Sequence, residues 1–192
     1  MKIIRVEPTT PMINLDWMIG SRCNYACSYC PSEYHDDFSP HPDLDKLKQA
    51  WMNFYNKTCD SGLPYKISLT GGEVTANRSF LPLIEFLREG NFNIGQLLVT
   101  TNGSASTAYY LRLAQLVDSI SFSTHSEFWN ESKFFENVIA VNKVMSPQRP
   151  KKSCHVMIMD ESWNRENFPR YENLLNRFKV SYSINIINHD VV

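Results

Sequence analysis

Three cysteines stand within eight positions in the stretch Ser21-Arg22-Cys23-Asn24-Tyr25-Ala26-Cys27-Ser28-Tyr29-Cys30-Pro31, at the spacing CxxxCxxC. Thiols this close together bind metal, pair as disulfides or pack as small hydrophobes. The chain holds five cysteines, an odd number and poor material for a secreted disulfide framework. Cys59 and Cys154 are too few to ligate a second cluster of the usual kind. Positions i, i+4 and i+7 also form one stripe of a helix. Gly20 and Ser21 before the triplet, Pro31 after it and polar neighbours throughout argue for a loop instead. A closed zinc site wants a fourth ligand, for which His35 is available. Three thiolates on an iron cluster leave one iron open to an exogenous ligand. The triplet therefore reads as a metal site, with iron favoured over zinc.

The elements that position such a loop follow from hydrophobic patterning. Ile13 to Ile19 is apolar with little interruption and predicts a buried strand that Gly20 ends. The polar, proline-rich segment Pro31 to Pro42 is a loop, and Asp43 caps a helix carrying Leu44, Leu47, Trp51, Phe54 and Tyr55. Five further strands are expected at Tyr65–Thr70, Gln96–Thr101, Ser119–Thr124, His155–Met159 and Tyr182–Ile187. Helices at about Asn77–Arg88, Ser106–Gln115, Glu131–Val144 and Arg165–Phe178 separate them. Strand and helix alternate about six times, which predicts an α/β fold with a parallel sheet and right-handed crossovers. Six units are two short of an eightfold barrel, so the expected architecture is a partial (β/α)6 TIM-like barrel. A single domain over residues 1–192 is expected, with no room for an accessory domain after the sixth strand.

The chain has 192 residues, 43% hydrophobic and 20% charged, with a formal net charge of -1. No basic surplus points to nucleic acid, and the small group Arg149, Lys151 and Lys152 reads as a solvated loop. No apolar run approaches the ~20 residues of a membrane span. The N-terminus lacks the apolar core of a signal peptide. The sequence is thus expected to be that of a soluble, cytoplasmic protein.

In parallel α/β sheets the active site lies at the carboxyl ends of the strands. The chemistry-bearing residues fall there: the cysteine loop, then Gly71-Gly72-Glu73, then Thr101-Asn102-Gly103, then Ser123 and His125. Adjacent glycines let backbone approach a ligand closely, and Glu73 is suited to receive an ammonium group. As plain structure, the same residues read as strand-ending turns and satisfied core polar groups.

Asp16-Trp17 followed by Cys23-Asn24-x-x-Cys27-x-Tyr29-Cys30, with Gly71-Gly72-Glu73, Thr101-Asn102-Gly103 and the serine-rich fourth strand, resembles the radical S-adenosylmethionine (SAM) superfamily. The resemblance implies a [4Fe–4S] cluster on Cys23, Cys27 and Cys30, with SAM chelating the fourth iron. It implies that Tyr29 lines an adenine pocket, that Gly71, Gly72 and Glu73 hold the methionyl amino group, and that Asn102, Ser123 and His125 complete the cofactor site. Met157 is a candidate adenine contact with a core role as its alternative. Cys154 is a candidate hydrogen donor with a quiet buried thiol as its alternative.

The implied activity is reductive cleavage of SAM to a 5′-deoxyadenosyl radical, which abstracts hydrogen from a small substrate such as a nucleotide or related metabolite. The partner it implies is a flavodoxin- or ferredoxin-like one-electron reductant. Glu33, His35, Asp36 and Asp37, with the tail Asn188 to Val192, are placed to cover that substrate, a solvated acidic loop being the alternative. A cluster-bearing regulatory protein without hydrogen abstraction and an activase or peptide-modifying enzyme are the other functions considered. The short chain argues against the peptide-modifying branches that carry extra clusters.

Overall fold

The computed structural model describes residues 11–31 and 35–187. Six strands, β1 (Ile13–Met18), β2 (Tyr65–Thr70), β3 (Ile94–Thr101), β4 (Ser119–Ser123), β5 (Ser153–Met159) and β6 (Ser181–Asn185), pair in sequence order and all in parallel. The crossovers are α1 (Leu44–Thr58), α2 (Phe80–Glu89), α3 (Thr107–Leu116), α4 (Glu131–Met145) and α5 (Phe168–Arg177). β1 and β6 do not meet, so the sheet is an open, partial barrel.

Alternation along each strand separates two faces. One carries Ile67, Leu69, Leu97, Val99, Ile120, Phe122, Val156 and Ile158, each no more than 1% exposed, packed under the helices. The other carries Ser68, Leu98, Ser119 and Ser153 in one register row and Ser121, His155 and Ser181 in the next. Helices thus cover one face, and the concave face is lined largely by hydroxyls. Cys154 lies on the covered face at 0% exposure, opposite Ile120, and not on the concave one.

β1 is not the buried strand its apolar run predicts. It is an edge strand, and Asn14, Asp16 and Met18 are exposed while Ile13, Leu15 and Trp17 pack toward the core. Two helices also begin later than their periodicity predicts. Val74–Ala76 forms a 3-10 turn, and Asn77 accepts from Ser79 N–H at 2.8 Å before α2 starts. Ser162–Asn167 is likewise a 3-10 segment, and α5 starts at Phe168 with Pro169 in its first turn, where a missing N–H costs nothing. Asp43 caps α1 as predicted, accepting from Lys46 N–H at 2.8 Å.

Two of the three basic residues near 150, Arg149 and Lys152, are structural. Arg149 donates to Asn142 Oδ1 and the Lys179 carbonyl, both at 3.2 Å, and Lys152 donates to the Ala114 and Gln115 carbonyls at the end of α3. Among the described residues no helix is long and apolar enough to cross a membrane.

Trp51 is 1% exposed, with the rings of Tyr65 and Phe92 at 5.5 and 5.4 Å. Truncation of a buried aromatic leaves a cavity that neighbouring rings fill only partly. Trp51→Ala is expected to lose about 3–5 kcal/mol in a urea titration. A loss below about 1 kcal/mol would show that the α1–sheet contact is not a true core.

Candidate functional site

The cysteine loop is held by backbone before any side chain acts. The β1–β2 ladder continues past both strands: Ile19 N–H donates to the Thr70 carbonyl (2.9 Å), Gly72 N–H to Gly20 (2.9 Å) and Glu73 N–H to Arg22 (3.0 Å). A Cβ on Gly72 would lie 2.3 Å from the carbonyl oxygens of both Ser21 and Arg22, and one on Gly71 would lie 2.5 Å from that of Gly20. The paired glycines therefore serve first to let two loops touch.

Residues beyond Pro31 return to the same place. Cys23 N–H donates to the Asp36 carbonyl (2.7 Å) and Asp36 N–H to that of Ser21 (3.0 Å). The Asp36 carboxylate accepts from the Ser39 hydroxyl and the Ser21 hydroxyl, each at 2.7 Å. These bonds, that from Ser39 foremost, hold its carboxyl down at about 2. Asp36 thus closes its own loop, and His35 Nε2 donates to the Tyr25 carbonyl at 2.5 Å, which occupies that nitrogen. Glu33 and the tail from Asn188 lie outside the described residues.

Cys23, Cys27 and Cys30 line one cavity of about 170 Å³ together with Gly71, Gly72, Glu73, Asn102, Ser123 and His125. The strand-end positions singled out by sequence are thereby gathered at one mouth. Tyr29 stands behind it, its ring parallel to His125 (7°, 6.0 Å) and its hydroxyl 2.5 Å from Nδ1. Met157 is a half-buried neighbour of Ser123 on the concave face and does not line the cavity, and Cys154 is turned away.

Glu73 is 2% exposed, and its carboxylate accepts four hydrogen bonds from the chain itself. Thr75 gives its N–H (2.9 Å) and hydroxyl (2.6 Å), Thr101 its hydroxyl (2.7 Å) and Asn102 its N–H (2.6 Å). Burial pushes the carboxyl up and these donors pull it back. Glu73 therefore ties the end of β2 to the end of β3, a role that sequence reading did not assign.

The His125 ring is pushed down to about 4 by burial and stays neutral. Tyr29 donates to its Nδ1, its Nε2–H donates to Ser123 Oγ at 3.0 Å, and Ser123 donates onward to the Thr101 carbonyl at 3.3 Å.

Two further ties hold the cysteine loop. Asn102 Nδ2 donates to Asn24 Oδ1 at 2.9 Å, and Asn24 Nδ2 donates to Ser104 Oγ at 3.0 Å. Ser28 gives its N–H (2.8 Å) and its hydroxyl to the carboxylate of Glu127. Asn24 was visible only as part of the CN pair, while Ser104 and Glu127 carried no sequence signal.

The donor set suits an iron–sulfur cluster. Three thiols face one cavity, yet among the described residues no three His, Cys, Asp or Glu side chains gather closely enough for a single metal ion. Thiolates at separate corners are what a cubic cluster takes. Burial pushes Cys27 up to about 12 and raises Cys23 and Cys30, so binding metal must displace protons from these thiols.

Known proteins share part of this sequence. Over 84 residues the chain is 32% identical to a GTP 3',8-cyclase of Pasteurella multocida, taking in 42% of this chain and 23% of that protein. It is 35% identical over 86 residues to an S-adenosylmethionine-dependent nucleotide dehydratase of Selenomonas ruminantium, covering 45% and 28% of the two. A GTP 3',8-cyclase of Haemophilus influenzae is 29% identical over 126 residues, covering 65% and 36%. The matches span about a quarter to a third of the length of these relatives. No family profile matches the chain.

Gly72→Ala tests the loop-to-loop approach. The added methyl meets carbonyls rather than a flexible side chain, so the expected loss is about 1–3 kcal/mol in thermal or urea unfolding. Reaction of the cavity thiols with a disulfide reagent should also quicken as the loop loosens. Unchanged stability and thiol reactivity would mean the two loops are not in register as described.

Proposed function

We propose that this chain is a radical SAM enzyme that holds a [4Fe–4S] cluster on Cys23, Cys27 and Cys30 and cleaves SAM reductively to start hydrogen abstraction from a small polar substrate. The observation that carries the reading is the common cavity, where three thiols meet the Gly71-Gly72-Glu73 turn, Asn102, Ser123 and His125 at the carboxyl ends of parallel strands. When bound, the reduced cluster with SAM on its open iron supplies a 5′-deoxyadenosyl radical.

The chain's own part is to bind, orient and exclude water. The backbone of Gly71 and Gly72 lies open to the cavity and is the surface for the methionyl group of SAM. His125 lines the cavity with Tyr29 stacked and locked behind it, a flat surface suited to the adenine side. Ser123 and Asn102 offer a hydroxyl and an amide for the ribose and carboxylate. The six-stranded sheet acts as one core domain.

Two features support a nucleotide or related metabolite as substrate. Relatives of both kinds act on nucleotides by name. The concave face that leads from the cavity carries Ser68, Thr100, Ser121 and Ser183, groups able to pair with the hydroxyls and amides of such a molecule. The electron comes from an external one-electron reductant, flavodoxin- or ferredoxin-like.

Anaerobic reconstitution with iron and sulfide, then reduction with dithionite in the presence of SAM, tests the reading. Release of 5′-deoxyadenosine is the expected product, followed by mass spectrometry. A protein that assembles a cluster but yields none with any nucleoside or nucleotide offered supports a cluster-bearing regulatory protein instead. Cys27→Ala is expected to lose its cluster iron and sulfide, and full retention would show the ligand assignment to be wrong.

A further inference from the structure

The turn between the second and third cysteines closes through one backbone bond, from Cys30 N–H to the Cys27 carbonyl at 3.1 Å. The Ser28 amide inside that turn points elsewhere. It donates to Glu127 Oε2 at 2.8 Å, while the Ser28 hydroxyl donates to Glu127 Oε1. Both carboxylate oxygens are thus engaged by one residue, 99 positions away in sequence and directly after Cys27.

A surface carboxylate beside a serine is ordinarily of little consequence. Here the carboxylate stands on a fixed support. Its loop follows β4, and Phe128 and Trp129 N–H both donate to the His125 carbonyl at 3.1 Å. Ser126 N–H reaches both oxygens of Glu161 (3.1 and 3.0 Å), a residue at 0% exposure. On the other side, His125 Nδ1 lies 3.4 Å from Cys27 Sγ. Glu127 therefore transmits a rigid reference point to the residue between two of the three thiols.

We propose that Glu127 is a positioning residue for the cysteine turn, fixing Cys27 and Cys30 for the cluster and holding the bound cluster at low potential. The inference rests on the cluster assignment made above. Hydrogen bonds to cluster sulfurs raise a reduction potential and nearby negative charge lowers it. Glu127 acts on both, because it takes up the Ser28 amide and places a carboxylate beside the turn. A low potential is what reduction of a sulfonium demands.

The test compares Glu127→Gln, Glu127→Ala and Cys27→Ala in the full chain after anaerobic reconstitution. Iron retention against a chelator and the midpoint potential from an EPR-monitored redox titration are the readouts. Glu127→Ala is expected to hold iron about 10–100-fold more weakly, as for loss of a partner that orients a metal ligand. Glu127→Gln keeps an acceptor for the Ser28 amide but no charge, so it should retain the cluster at a more positive potential. If the alanine variant fails to fold, the potential of the glutamine variant still decides. Wild-type retention and potential in both variants overturn the inference, and with Cys27→Ala losing its iron the cluster assignment survives. Iron retained in full by Cys27→Ala overturns the assignment itself.

Discussion

The site depends on an approach of backbone to backbone that no side chain tolerates. Gly71 and Gly72 continue the β1–β2 ladder beyond the strands, and a methyl group at either would sit well inside the van der Waals contact distance of a carbonyl oxygen. That contact sets the height of the cysteine loop above the sheet. The Glu73 clasp to β3, the Asn24–Asn102 pair and the Glu127–Ser28 tie then fix it laterally. Each tie comes from a different strand end, so the loop inherits the geometry of the whole rim and not of one neighbour.

Beneath the rim the sheet divides its work by face. The outer residues of β2 to β5 and the helix faces that cover them together make up almost the entire apolar core. The concave face is thereby relieved of stabilising the fold and can carry serines, threonines and a histidine at little cost. In an open barrel these groups remain wet at the edges, which suits them to exchange water for a polar ligand.

Much of the fold was legible because turn residues punctuate the chain cleanly. Tyr65–Thr70 is bounded by Pro64 and Gly71 and was found to the residue. β1 was misread because INLDWM is apolar enough to pass for a buried strand, and nothing local tells an edge from a centre. The late start of α5 reflects a 3-10 segment, whose period of about 3 residues is close enough to the helical one to pass for it, and α2 is delayed by the turn that Asn77 makes with Ser79. Of the site, the cysteines were visible from spacing and the glycine motif from its place after a strand. Glu127–Ser28 and Asn24–Asn102 span 99 and 78 positions, and a single pairing across loops leaves no periodic trace. Glu73 was visible as a carboxylate in the right place, but its role as an internal clasp emerged only from its four donors.

Every residue lining the cysteine cavity comes from β1 to β4 or the loops that follow them, and none from β5 or β6. Under the proposed function, the residues that make the reagent and those that meet its target would then lie in separate stretches of chain. Substitutions in the last two strands reshape the concave face beside the cavity without replacing any residue that lines it. A lineage built on this sheet could vary β5 and β6 while keeping the cavity lining constant, and variation confined to those two strands would be the mark of such a history.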